Sequence, residues 1–326
     1  MGKRRRGKPI DGWLVLDKPA GLTSAKAVDK AKRAFDAAKA GHGGTLDPMA
    51  TGVLPIAFGE ATKTTRFAMG GAKRYRFTVR WGEARDTDDA QGDVTATSES
   101  RPDQAAIEAA LSAFTGVIEQ VPPAFSAIKV EGKRSYNLAR SGEAPDLAAR
   151  PVEIESLALI DCPDGDHAIL EAECGKGTYI RALARDLALA LGTVGHISAL
   201  RRLQVGPFLA ENAILLEELA DLPEKAPIER FLLPIEAALD DIPAVVLTQE
   251  EAHRLRCGQP VSIFRRSDRE RLETLLALSG NGAQSAPSSG PENEAEPVAL
   301  ATDGNRAVAL VRVEGATLHP MRVLNL

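Results

Sequence analysis

Hydrophobic and polar positions along this chain change period several times, and each change marks an element. Tyr75, Phe77, Val79 and Trp81 alternate with Arg74, Arg76, Thr78 and Arg80, which predicts a strand with one apolar and one cationic face. The short apolar run 13–16 lies between Gly12 and Asp17-Lys18-Pro19-Ala20-Gly21 and reads as a buried strand entering a turn. Thr23 or Ser24 can then cap a helix that presents Ala27, Val28, Ala31, Ala34 and Phe35 on one face. Residues 102–114 repeat at helical spacing with Ile107, Leu111 and Phe114 inward. Runs 152–160 and 168–174 flank an Asp-Gly turn and predict a hairpin. From Ile180 the residues Leu183, Ala184, Leu187, Ala188 and Leu191 keep a helical stripe until Gly192. Residues 215–239 read as acidic and helical, broken by Pro223, Pro227 and Pro234, and form a passage between domains. Beyond Ile242, Thr248 and Glu251 make a capping box for a short helix closing at Gly258. Runs 260–263, 298–302 and 306–313 predict strands of a small β-rich unit, and the Ser, Gly, Pro and Glu-rich stretch 279–297 predicts a disordered loop.

Composition narrows the class. The 326 residues suffice for about two domains at roughly 150 residues each. With 44% hydrophobic and 26% charged residues the chain matches a soluble globular protein. A net charge of −5 argues against a wholly basic nucleic-acid coat but leaves room for basic patches. The three cysteines, Cys162, Cys174 and Cys257, have no C-x-x-C spacing, so neither a disulfide framework nor a zinc site is indicated. No apolar h-region follows the basic start at residues 3–8, and no run approaches the roughly 20 apolar residues of a membrane span. A soluble cytoplasmic protein is expected.

The candidate chemistry centres on residues 41–55, GHGGTLDPMATGVLP, which hold four glycines, two prolines, His42 and Asp47. Such a segment reads as a shaped loop, and Asp47 is either a turn former or a working carboxylate. Residues 59–64 lack the phosphate-loop spacing, and residues 86–93 fail as a calcium loop at Ala90, leaving a hairpin-type turn. Spacing supports no metal cluster and no Ser-His-Asp set. Arg181 opens a helix, where the dipole disfavours a cation, so an anion nearby is expected. A carboxylate working without a cofactor suits chemistry at a sugar carbon, and an RNA base would have to leave its stack to reach it.

Five blocks together resemble the bacterial tRNA pseudouridine synthase B family: Gly12-Trp13-Leu14-Val15-Leu16-Asp17-Lys18-Pro19, the 41–55 loop, Lys73-Arg74-Tyr75-Arg76, Ser126-Ala127-Ile128-Lys129 and Gly177-Thr178-Tyr179-Ile180-Arg181. The block 196–203, with Leu200-Arg201-Arg202, matches as well, so the likeness covers nearly all of residues 10–210. The resemblance implies an α+β fold: a mixed, mainly antiparallel sheet with flanking helices in a catalytic domain at 10–240, and a PUA-like RNA-binding domain at 241–326. Residues 1–9 form a basic tail. The implied reaction converts uridine to pseudouridine at position 55 in the T arm of tRNA, by base flipping, without cofactor or metal. It implies Asp47 as the essential carboxylate, Arg181 as its partner, and Tyr75 packed on the target ring and placed to help remove the C5 proton. His42 would fill the space of the flipped base, and Tyr179 and Leu200 would wall the pocket. Lys18, Lys63, Arg74 and Arg76 would contact RNA or shape the backbone. Attack at ribose, sugar-proton abstraction and addition to the base all stay open. Two departures stand out: Gly43 replaces a common threonine, and Phe125 replaces a common tyrosine. The expected partner is tRNA, with no membrane and no obligatory protein partner, and the chain is expected to be a monomer. A non-catalytic RNA-binding protein is the alternative, and a glycosidase a weaker one.

Overall fold

A computed structural model describes residues 7–126, 128–130, 133–141, 146–220, 228–263, 297–304 and 306–326. Of the expected loop at 279–297 all but Pro297 lies outside these residues, as does most of the basic tail. In chain order the strands are Gly12–Lys18 (β1), Ala40–His42 (β2), Thr51–Phe58 (β3), Lys73–Trp81 (β4), Glu83–Arg85 (β5), Val94–Thr97 (β6), Gly116–Gln120 (β7), Lys129–Val130 (β8) and Lys133–Arg134 (β9). They continue with Arg150–Asp164 (β10), His167–Cys174 (β11), Gly195–Val205 (β12), Phe208–Leu209 (β13), Ile214–Leu215 (β14), Ala244–Val246 (β15), Val261–Ser262 (β16), Val298–Asp303 (β17), Arg306–Glu314 (β18) and Thr317–Val323 (β19). The α-helices are Ser24–Ala34 (α1), Thr65–Gly70 (α2), Gln104–Leu111 (α3), Ser135–Arg140 (α4), Ile180–Ala190 (α5), Leu216–Ala220 (α6) and Gln249–Arg256 (α7).

A ten-stranded sheet in the order β14-β1-β3-β12-β4-β11-β10-β7, with β2 and β13 at its side, carries most of the chain. All its pairings are antiparallel except β1 with β14 and β3 with β12. The α+β fold is therefore the expected mixed, mainly antiparallel one. One face of the sheet packs on α1, α3 and α5 through a core that includes Leu14, Leu16, Phe35, Phe77, Trp81, Leu183 and Leu187. The other face, around Trp13, Val15, Val53 and Phe208, meets Leu300, Ala307, Leu310 and Leu324 of a second sheet, ordered β15-β17-β18-β19-β16. Thr23 caps α1 and Thr248 with Glu251 forms the capping box of α7, as their spacing required. No helix among the described residues is long and apolar enough to cross a membrane.

Three expectations need correction. The 41–55 segment is a loop only in its middle, because its ends belong to β2 and to the first part of β3, and β2 pairs with the end of β3 at residues 56–58. Ala34, the last residue of α1, is exposed, whereas Ala27, Val28, Ala31 and Phe35 are buried. The described part of 215–239 is one short α-helix and two 3₁₀ turns, at Ile228–Phe231 and Ile235–Ala238, with Pro234 at the start of the second, where it separates the two.

Candidate active site

Asp47 sits in the 43–50 connection, where almost every peptide group is held. Ser24 Oγ donates to Leu46 O and accepts from Leu46 N, both at 2.9 Å. Lys18, fully buried, donates from Nζ to the carbonyls of Pro19, Leu22 and Pro48 at 2.8, 2.8 and 3.2 Å, and Gly21 N donates to Pro48 O at 2.8 Å. From β12 the buried Arg202 donates to Gly44 O, Thr45 O and Val53 O at 3.2, 3.1 and 2.8 Å. Strand β12 approaches β3 so closely that a Cβ on Gly52 (φ +99°) would lie 2.2 Å from Arg202 O, which only glycine avoids. A rigid cradle thus presents one carboxylate, and Lys18 and Arg202 are parts of it. Burial, opposed by Asp47 and assisted by Arg202, lowers the Lys18 amine to about 8.

The carboxylate meets its partner from another element. Arg181, in the first turn of α5 and 5% exposed, donates from Nε to Asp47 Oδ2 at 2.9 Å. Its Nη1 and Nη2 donate to Thr87 O and Phe125 O at 2.8 and 3.0 Å, and Asp89 Oδ2 lies 3.8 Å from Nε. The anion that the helix position called for is present twice over. Asp47 is 32% exposed, and no hydrogen bond reaches its Oδ1 from the described residues. Phe125 acts here through its carbonyl, so the phenyl-for-phenol change leaves the contact intact; its ring packs edge-on to Tyr136 at 6.0 Å.

A cleft of about 1070 Å³ opens over this pair, lined by Asp47, Tyr75, Arg181, Tyr179, Leu200 and Arg202 among others. Tyr75 reaches it from the apolar face of β4, and burial raises its phenol pKa, so the side chain is a neutral phenol at physiological pH. Tyr179 caps α5, with its N–H and C=O tied to the Gln120 amide and Arg150 5.2 Å over its ring. Lys73, also in the lining, donates to Met69 O and Gly71 O, and burial and then Arg202 lower its amine to about 8.

Several expected residues lie elsewhere. His42 is half-buried on β2 outside the cleft lining; burial and then Arg202 lower its pKa, and its Nδ1 is buried without a hydrogen-bond partner. Arg74 and Arg76 alternate with Tyr75 and so project from the opposite face of the sheet, where Glu171 lies 3.8 and 2.9 Å from them. The single Glu171 of β11 offsets part of that cationic face, and Glu83 of β5 pairs with Arg80. Lys63 is remote as well: it pairs with Glu60 and donates to Val323 O of the second sheet at 2.7 Å. Gly43 is packed so tightly that a Cβ would lie 3.1 Å from the Trp13 ring and 3.2 Å from Ala68 Cβ, which accounts for the missing threonine.

Sequence reasoning read residues 86–93 as a turn but gave its acids no part in the site. The loop between β5 and β6 docks on β12 through Ile197 N to Asp88 O and Ala90 N to Ile197 O, at 3.1 and 2.9 Å. This buries Asp89 beside Arg181 and Asp88 2.9 Å from Arg185. Burial outweighs the Arg185 charge and raises Asp88 to about 6. Asp89 Oδ1 accepts from Thr87 Oγ1 and Gln91 N. The local signal was only a run of acids; its docking partner is over a hundred residues away. Among the described residues no group of three or more His, Cys, Asp or Glu side chains could hold a metal.

A mixed sheet carrying a part-exposed carboxylate, clamped by a buried arginine in a large cleft that is also lined by two tyrosines, defines an enzyme that works on a bulky, ring-bearing substrate by acid–base or nucleophilic means. Residues 32–180 match the TruB family pseudouridylate synthase N-terminal domain and residues 181–240 the tRNA pseudouridylate synthase B C-terminal domain. The chain belongs to the TruB family of pseudouridylate synthases, which are isomerases. It is 52% identical to the tRNA pseudouridine synthase B of Gluconacetobacter diazotrophicus over 99% of this chain and 100% of that one. The same protein of Rhodospirillum rubrum is also 52% identical, over the full length of both chains. In fold it is similar to a chain of a Cbf5-Nop10-Gar1 complex (TM-score 0.69, 23% identity, covering 96% of this chain and 85% of that one). It is similar too to a chain of an archaeal box H/ACA Nop10-Cbf5 complex (TM-score 0.69, 21% identity, 100% and 93%).

Proposed function

We propose that the chain isomerises uridine to pseudouridine at position 55 in the T arm of tRNA, with Asp47 as the catalytic carboxylate. The observation that carries this reading is the geometry of Asp47: it lines the cleft with Oδ2 fixed by Arg181 and Oδ1 free of hydrogen bonds from the described residues. A uridine in a stacked helix cannot reach a carboxylate set in such a cleft, so the base flips out. Oδ1 attacks C1′ of the ribose, and the electron pair of the C1′–N1 bond leaves with the uracil ring. The ring turns within the cleft, C5 bonds to C1′ and displaces the carboxylate, the C5 proton is lost and N1 gains one. Substrate and product have the same atoms, so no external reactant enters.

The roles of the other groups follow from their surroundings. Tyr75, held as a neutral phenol by burial, packs on the ring and orients it; that state fits packing better than proton removal. Tyr179 and Leu200 wall the cleft and keep the detached ring from escaping. Arg181 orients Asp47 and is itself fixed by Asp89 and two carbonyls. His42 is assigned to the strand side of the cradle, within reach of the space a flipped base vacates. Residues 10–240 act as the catalytic domain and 241–326 as a PUA-like RNA-binding domain; the chain works as a monomer, in the cytoplasm where its tRNA substrate is. The test is incubation of an unmodified tRNA transcript with the protein, followed by mapping of pseudouridine. Product at uridine 55 alone is expected; product at another position, or none, would refute the assignment.

A further inference from the structure

Outside the cleft, Arg66 and Arg322 stand on adjoining elements, and neither has an anionic partner among the described residues. Arg66 projects from α2 with its Nε and Nη2 buried and without hydrogen-bond partners, and stacks on Phe67 at 4.5 Å from the ring centroid. Arg322, exposed near the end of β19, donates from Nη1 to the adjoining Met321 carbonyl at 2.9 Å. Backbone and side-chain contacts bring the two elements together. Lys63 Nζ donates to Val323 O, and Asn325 N donates to Glu60 Oε2, both at 2.7 Å. Val323 adjoins Arg322, and Arg66 follows Lys63 by about one turn. The nearby carboxylate, Glu60, is already engaged by Lys63 and Asn325. Burial and then the Arg322 charge lower the Arg66 pKa, the direction expected of two cations held side by side.

Buried guanidinium N–H groups left unsatisfied beside a like charge are costly in the free protein. An oxyanion between the two arginines would satisfy both, and phosphate matches the guanidinium fork. Position identifies the source of that phosphate. Met69, one turn beyond Arg66 on α2, lines the cleft, and a Cβ on Gly44 of the Asp47 loop would lie 3.9 Å from Met69 Cγ. The arginine pair therefore stands about one helical turn from the cleft rim, where the second sheet joins the first. We propose that Arg66 and Arg322 together hold one backbone phosphate of the RNA substrate and so tie the strand at the cleft rim to the C-terminal sheet. The proposal rests on the RNA reading above.

The test compares wild type, Arg66→Gln, Arg322→Gln and the double variant for tRNA binding across a salt series, for kcat, and for thermal unfolding without RNA. Each single variant should raise Kd about tenfold, the equivalent of one charged hydrogen-bonded contact. The double variant should be little worse than either single one, because both groups share one phosphate. The slope of log Kd against log salt should fall by about one, and kcat at saturation should hold. The RNA-free variants should melt at or above the wild-type temperature, since the like-charge contact is gone, and Arg66→Lys, which keeps the charge but not the fork, should recover only part of the binding and restore the salt slope. An unchanged Kd and salt slope, additive losses, or a lower melting point with no change in slope would overturn the proposal. Because binding is scored apart from turnover, a wild-type chain that binds tRNA but makes no pseudouridine would sink the catalytic reading instead.

Discussion

Replacing Arg181 by methionine removes the group that joins three segments of the site. Its guanidinium is 5% exposed and makes one charged and two neutral hydrogen bonds, with Asp89 alongside at 3.8 Å. Asp47 is a third exposed and can be rehydrated, but Asp89 is 7% exposed and would be left as a buried charge. Breaking a buried pair in this way costs about 3–5 kcal/mol, a large share of a typical folding free energy of roughly 5–15 kcal/mol. Adding Asp89→Asn removes that charge while its amide oxygen still accepts from Thr87 and Gln91, so about 2 kcal/mol should return. Turnover should not return, because Asp47 has lost its orienting partner. Urea unfolding followed by the fluorescence of the fully buried Trp13 and Trp81 gives the stabilities, provided m is unchanged. A loss below about 1 kcal/mol for Arg181→Met, or a double variant no more stable than the single one, would refute the buried-charge reasoning.

Gly43→Thr, which restores the residue common in the family, should destabilise by about 1–3 kcal/mol here, because its Cβ would press on Trp13 and Ala68; an unchanged urea midpoint would contradict this. Lys18 uses its three protons on three carbonyls, so loss of one near pH 8 should loosen Pro48 beside Asp47 and lower kcat on the alkaline side; a kcat flat to pH 9.5 would count against it. Asp88 is raised from 3.8 to about 6 in the fold, so its contribution to stability is full below about pH 3.8 and is lost as pH rises through 6. Asp88→Asn, tolerable at φ +58°, should therefore gain up to about 3 kcal/mol over wild type at pH 7.5 and little at pH 4; equal differences at both values would refute the sign.

What could be read from the chain, and what could not, divides along the range of the interaction. The alternation at Tyr75–Trp81, the stripe from Ile180 and the Thr248 capping box are local patterns, and each became the element it described. The dipole argument at Arg181 also worked, because it asks only what a helix start tolerates. The cationic face of β4 could not be weighed from the chain for the opposite reason: Glu171, which offsets part of its charge, sits on a strand paired through long-range register. Asp89 and Arg202 were overlooked on similar grounds. One lies in a turn that docks on β12, and the other belongs to a basic run that becomes buried only because β12 crosses beside β3. The family resemblance supplied Asp47 and its partners; the structure adds the groups that fix them.

The most direct test sets wild type beside Asp47→Asn on the same T-arm stem-loop, measuring pseudouridine formed and RNA bound. The expected result is product from wild type, none from Asp47→Asn, and binding retained within about tenfold, or roughly 1.4 kcal/mol, since the Oδ1 position keeps its place in the cradle. Turnover by Asp47→Asn at a comparable rate, or a collapse of binding together with activity, would contradict a catalytic role for this carboxylate.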